Sequence, residues 1–286
     1  MKTVHKKRDN HFLPICYQKA FTDDSDRIWV QYFYKNTPDH LHPKSVGKIT
    51  KFYTQNINGV EDDSVEEFFS DYVEGAYARL GKKLRENRTT FVADKEDIFA
   101  LARFVISQMF RTVAYRKCID EQAGWNVNSE VFIRNIGRQM KKMTAAWTKE
   151  LPSLQIQTSL PFVNSYFITG DNPVVIKTDS VSPGTLEVPF STLQISNIDA
   201  VLASPRTEYV VPMSPYFCAV LMTRKHFTVQ TEPVGIHPLQ VSKINRDVCG
   251  QCVQFIAAKD KESLAFHRTE GSPSQSALAE FTAPQA

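Results

Sequence analysis

Arg111 stands in a stretch that is otherwise nearly all apolar, Phe104-Val105-Ile106-Ser107-Gln108-Met109-Phe110-Arg111. On a helix, Leu101, Phe104, Gln108, Arg111 and Tyr115 share one face, because they step by three or four. The guanidinium is thus expected to be at least partly buried. A buried guanidinium costs several kcal/mol unless it is paired, so it demands a carboxylate or a bound anion. Glu74 is one partner on offer; its neighbour Gly75 would let another backbone or a ligand come close. Asp171 is another, in the turn Gly170-Asp171-Asn172-Pro173. His11, ahead of Phe12-Leu13-Pro14, adds a group that titrates near neutrality.

If His11, Glu74, Gln108, Arg111, Asp171 and Asn172 meet in one pocket, their chemistry is that of a phosphodiester- or nucleotide-directed hydrolase. Arg111 would grip a phosphate bidentately. Glu74 or Asp171 would hold a divalent metal or act as base, with His11 as acid. Each residue also has a plainer reading. Arg111 can be a core bridge between helices, Asp171 can close its own turn, and His11 can be a satisfied structural histidine. On that alternative the chain is a non-enzymatic sensing or protein-interaction module, with its function on the surface or in the tail.

Other signatures are weak or missing. Cys249-Gly250-Gln251-Cys252 is a lone C-x-x-C inside an expected helix, whereas a redox pair belongs at a helix N-terminus and a zinc site needs two more ligands. His40-x-His42 lies in a loop without a matching Cys. No G-x-G-x-x-G, phosphate-binding P-loop, H-E-x-x-H or G-x-S-x-G occurs.

The elements that must position these residues can be read from periodicity. Residues 27–34 are β-branched and aromatic and read as a strand, and 50–53 as a second short one. Residues 36–48 read as a loop. A helix is expected over 64–87, with Ser64 as N-cap and Glu67 completing a capping box. A second is expected over 94–119, capped by Asp94, and a third over 129–149. After Pro152 short apolar runs alternate with turn residues. Runs 166–169 and 174–177 flank the Asp171 turn, and runs 208–211 and 217–223 flank Pro212-Met213-Ser214-Pro215; both pairs read as antiparallel strands. A last helix is expected over 242–258. Helices in the first half and strands in the second give an α+β class, with an N-terminal strand joining the later antiparallel sheet. The expected domain is 1–268, and the Ser-, Pro-, Ala- and Gln-rich residues 269–286 read as a flexible tail.

Composition sets bounds. Of 286 residues 42% are hydrophobic, with 19 Phe and 10 Tyr, enough for a large aromatic core. A formal net charge of +3 gives no general case for nucleic-acid binding. The local groups Lys82, Lys83, Arg85 and Arg88, and Arg138, Lys141 and Lys142, read as solvated helix faces. The longest apolar runs are too short to span a membrane, and the basic start lacks the apolar stretch of a signal peptide. Five cysteines in loose spacing fit a reducing cytosol.

These same residues carry a likeness. The chain resembles a bacterial family catalogued as a domain of unknown function, family 4238. Its members open with His-x-x-Pro, then an aromatic and a Phe, here His11 to Pro14, Tyr17 and Phe21. Next come a Phe-Tyr pair (Phe52-Tyr53), an acidic helix matched by Glu74, and a Gln-x-x-Arg helix (Gln108 to Arg111). Then follow an Asp-Asn-Pro turn (Asp171 to Pro173), a Pro-x-Ser-Pro (Pro212 to Pro215) and an Asn opening the last helix (Asn245). Gly170 departs from the usual Ser, and Cys16-Tyr17-Gln18 from the commoner Tyr-Leu. The family has no agreed activity; some members are associated with phage resistance. The resemblance therefore implies a bacterial anti-phage protein; the hydrolase reading of the residues would add nucleic acid or a nucleotide as partner, and the module reading a protein.

Overall fold

A computed structural model describes residues 9–57, 60–87, 90–115, 153–159, 165–177, 207–222 and 230–265. The chain opens with β1 (Asp9–His11), the short helix α1 (Ile15–Gln18), β2 (Ile28–Tyr32), β3 (Asp39–Leu41) and β4 (Lys48–Thr50), which pairs back on β1. β2 lies within the strand expected over 27–34. The expected loop over 36–48 contains β3 and a 3-10 turn at Pro43–Ser45. The strand expected over 50–53 does not form. Lys51 has φ 55°, a left-handed conformation that a strand cannot hold, and the resulting turn sends both Phe52 and Tyr53 into the core.

A small hairpin, β5 (Gln55–Ile57) and β6 (Val60–Asp62), leads into one long helical run. It comprises α2 (Ser64–Phe68), a π-helical stretch (Phe69–Glu74) and α3 (Gly75–Glu86). The Ser64–Glu67 capping box is absent: the helix starts one residue earlier, with Asp63 as N-cap, and the Asp63 carboxylate accepts from the Thr54 hydroxyl instead. The wide turns keep Phe69, Val73, Tyr77, Leu80 and Leu84 all on the buried side.

The second expected helix is α4 (Lys95–Arg111), and its Asp94–Asp97 capping box forms in both directions. Arg79 and Lys83 of α3 bridge to the same two carboxylates and so fasten the start of α4 to α3. α4 stops at Arg111, where Thr112 is extended, and helical geometry resumes over 113–115. The expected continuation to 119, the helix over 129–149 and the tail lie outside the described residues.

The second half supplies β7 (Ser153–Ser159), β8 (Thr169–Gly170), β9 (Val175–Lys177), β10 (Glu208–Pro212), β11 (Phe217–Met222), β12 (Gln230–Ile236), α5 (Pro238–Gln251), β13 (Phe255–Ala258) and α6 (Lys261–Ala265). One sheet has the order β3-β2-β13-β8, antiparallel throughout. The other has the order β12-β7-β11-β10-β9, antiparallel except for parallel β12–β7. The class is α+β, and the N-terminal strand β2 does join a later one.

Two details differ from the sequence reading. β10 and β11 form the expected hairpin, but β8 and β9 do not pair with each other: the chain crosses from one sheet to the other at Asp171–Pro173. The last helix begins earlier, with His237 and Gln240 as a reciprocal capping box and Pro238 at N1, and ends at Gln251. Residues 255–258, expected as its end, are a central strand. All four are buried, and a short apolar run buried on both faces looks the same in a helix and in a strand.

Alternation along the strands divides the core in two. Phe255 and Ala257 of β13, Tyr209 and Val211 of β10, and Phe217, Ala219 and Leu221 of β11 join Tyr17, Tyr77, Leu80 and Phe104 of α1, α3 and α4. Their neighbours Ile256, Ala258, Val210, Cys218 and Val220 join Val241, Ile244 and Val248 of α5. The sheets thus carry the first-half helices on one face and α5 on the other.

Candidate functional site

Arg111 is wholly buried, as its surroundings in sequence require. Its Nη2 donates to Glu74 Oε1 at 2.7 Å and to the His11 carbonyl at 2.6 Å. The guanidinium lies over the Phe69 ring, 4.4 Å from its centre. One turn back, Gln108 Nε2 donates to the Phe12 carbonyl at 2.8 Å. The Gln-x-x-Arg pair therefore grips successive carbonyls of the chain as it leaves β1. Tyr53 closes the arrangement: its hydroxyl donates to the Arg111 carbonyl at 2.8 Å, and its backbone N–H donates to Asn10 Oδ1. Glu74 ends the π-helical stretch, and its side chain keeps 24% of its surface exposed.

The electrostatics favour a charged, fixed pair. Burial lowers the guanidinium pKa, but Tyr53, Glu74 and Glu66 outweigh it and the net shift is upward. His11 is half-buried, and burial pushes its imidazole below the ordinary range, against the Lys44 carbonyl and Glu74. Its Nε2 meets that carbonyl at 3.2 Å, so this nitrogen carries the hydrogen. Cys16 stands in the same neighbourhood; burial, then Glu74, pushes its thiol up to about 12, which leaves it inert as a nucleophile. Two carboxylates thus already face one cation. A phosphate arriving at Arg111 would meet their repulsion, and Nη2 is already engaged. Arg111 Nε and Nη1 have no hydrogen-bond partner among the described residues. No group of three or more His, Cys, Asp or Glu suited to a metal ion occurs among them either.

Asp171 and Asn172 belong to a different structure. Asp171 sends its carboxylate across to the turn after α5, accepting from Val253 N–H at 3.1 Å and Gln254 N–H at 2.8 Å. Asn172 and Gln251 exchange side-chain-to-carbonyl hydrogen bonds, at 3.2 and 2.6 Å. Together they clamp the sheet-to-sheet crossing onto the end of α5. Burial pushes the Asp171 carboxyl up to about 7, against these backbone donors. Gly170 is needed here, since a Cβ would come within 2.3 Å of Cys252 Sγ and 2.7 Å of the Phe255 carbonyl oxygen. Among the described residues no hydrogen bond or ion pair links this clamp to Arg111. The six sequence candidates therefore split: His11, Glu74, Gln108 and Arg111 come together, while Asp171 and Asn172 stand apart.

A cleft of about 260 Å³ opens elsewhere, among the 20–26 segment, Leu84 and Arg85 of α3, Pro215 and Tyr216 of the β10–β11 turn, and Lys259. Asp23 on its rim is fully used: Oδ1 accepts from Ser25 and Arg27, and Oδ2 meets His40 Nε2 at 2.7 Å. Against burial, which raises it, these partners hold the carboxyl at about 2. Lys259 donates to the Tyr216 hydroxyl at 2.7 Å and sits 5.5 and 5.3 Å from the Tyr166 and Tyr216 ring centres. Sequence reasoning passed over this cleft. Its signals were the run Asp23-Asp24-Ser25-Asp26 and an arginine inside a basic helix face, neither of which announces its partners.

The family model described as protein of unknown function (DUF4238) matches residues 9–165, more than half of the chain, and the chain belongs to that family. The match contains β1, Tyr53, Glu74, Gln108 and Arg111, and ends before the Asp171 turn. No curated protein and no solved structure matches the chain. Among the described residues no helix is long and apolar enough to cross a membrane.

Proposed function

We propose that the chain is a non-enzymatic binding module, acting in bacterial defence against phage, in which the Arg111 network is architecture. The observation that carries this is the complete enclosure of Arg111 with its Nη2 already shared between Glu74 and the His11 carbonyl. A phosphate-gripping arginine must present two donors to solvent; this one presents none. The defence role is supported by the resemblance alone. The test is plating efficiency of phage on cells carrying the chain. The double variant Arg111→Met/Glu74→Gln, folded, is expected to protect as well as the parent, because an apolar side chain of similar volume can replace a buried ion pair. A folded double variant that no longer protects overturns the reading.

One observation favours the hydrolase alternative. Glu74 and the His11 imidazole are both partly exposed, and the Glu74 charge acts on the imidazole. With Nε2 bound to the Lys44 carbonyl, the His11 Nδ1 is the basic nitrogen, and such a neighbouring acid and base would suit hydrolysis of a phosphodiester or nucleotide, with or without a divalent metal. His11→Gln separates the two: it abolishes protection if the imidazole moves a proton, and spares it in a binding module.

A further inference from the structure

Four buried polar atoms of the Arg111 network have no hydrogen-bond partner among the described residues: Arg111 Nε and Nη1, Gln108 Oε1 and Asn10 Nδ2. The three residues are fully enclosed. They also stand together. Gln108 and Arg111 hold the carbonyls of Phe12 and His11, the two residues that follow Asn10. Tyr53 joins Asn10 to Arg111: its N–H donates to Asn10 Oδ1 and its hydroxyl to the Arg111 carbonyl. A buried donor or acceptor left unpaired is costly, most of all on a charged group. Native proteins therefore pair such atoms with protein or with ordered water.

The surroundings define the chemistry of that partner. Arg111 and Asn10 offer donors and Gln108 an acceptor, so the partner must both accept and donate. It must be uncharged. Glu74 is paired to Arg111 at 2.7 Å, and Glu66 also acts on the guanidinium through its charge. Two carboxylates repel an anion, and the guanidinium repels a cation. The partner must be small, because none of the three side chains reaches the surface. Water meets all these conditions. A buried water makes roughly two to four hydrogen bonds to polar groups that would otherwise go unpaired, and this cluster supplies them.

We infer that β1 and α4 enclose an internal water site, in which water accepts from Arg111 and Asn10 and donates to Gln108. The joint between the two elements is then part dry and part wet. Direct hydrogen bonds hold it at the His11 and Phe12 carbonyls, and water holds it at the Asn10 side chain. The inference deepens the reading of the Arg111 network as architecture and rests on it. The two fail separately: loss of phage protection in the folded Arg111→Met/Glu74→Gln chain would sink that reading and leave the water of the parent in place.

The test is magnetic relaxation dispersion of the water oxygen in a solution of the full chain. It detects water held for longer than the protein takes to tumble. The parent is expected to show such water. Folded Arg111→Met is expected to lose the contribution of at least one molecule, because methionine brings no N–H groups that need a partner. Where that variant does not fold, a crystal structure of the unaltered chain decides. Ordered water is expected within hydrogen-bonding distance of Arg111 Nε or Nη1 and of Asn10 Nδ2 or Gln108 Oε1. The inference is overturned if folded Arg111→Met keeps the dispersion of the parent in full. It is equally overturned if the crystal shows Arg111 Nε and Nη1 bonded to protein groups alone.

Discussion

At the scale of the residue, Arg111 and Asp171 solve the problem of a buried charge in opposite ways. Arg111 stays charged because Glu74, Glu66 and Tyr53 outweigh burial. Arg111→Ala is expected to cost roughly 3–5 kcal/mol of folding stability, since it opens a cavity and breaks a buried pair, and urea denaturation would read it. Asp171 is raised to about 7, from an ordinary 3.8. The folded state therefore holds this proton more tightly than the unfolded one. Its contribution is fully present below about 3.8 and is lost as pH rises to about 7. Denaturation midpoints measured between pH 4 and 8 should show this decline, and Asp171→Asn should flatten it. The sequence displayed the need of Arg111 for a carboxylate, and Glu74 meets it. It could not display that Asp171 meets a different need, because the partners of Asp171 are backbone N–H groups some 82 residues away, and backbone groups leave no mark on residue type.

At the scale of the element, legibility followed the strength of local signals. The Asp94–Asp97 capping box fixed the start of α4, and the β10–β11 hairpin followed from its turn residues. Residues 255–258 escaped because Phe-Ile-Ala-Ala fits either period, and only the two cores on either side of β13 decide for a strand. The Ser64 cap failed because the helix starts one residue earlier, at a boundary that no side-chain cap marks: the Asp63 carboxylate is taken by the Thr54 hydroxyl. Two glycines in contrasting surroundings give a paired expectation. Gly170→Ala drives a Cβ into the Phe255 carbonyl oxygen at 2.7 Å, a backbone atom that cannot step aside. It should cost at least about 1–3 kcal/mol. Gly250, in α5, would meet nothing within 4 Å. Gly250→Ala should instead gain up to about 1 kcal/mol from helix propensity. Thermal melts of the two variants should move in opposite directions.

At the scale of the whole molecule, single polar groups join elements far apart in sequence. The Tyr17 hydroxyl, on α1, donates to the Pro212 carbonyl of β10 and accepts from Thr169 of β8, both at 2.7 Å. One buried oxygen thus ties a helix to both sheets. Tyr17→Phe leaves two buried groups without their partner and should cost about 1–3 kcal/mol. The Arg111 network does the same for β1, the π-helical stretch and α4. The measurement that tests this account most directly is a double-mutant cycle on Arg111→Met and Glu74→Gln, read by urea denaturation. Each single change is expected to destabilise, and the double to cost less than their sum by about 1–3 kcal/mol. Strictly additive costs, or single variants as stable as the parent, would contradict the claim that this ion pair holds the fold together.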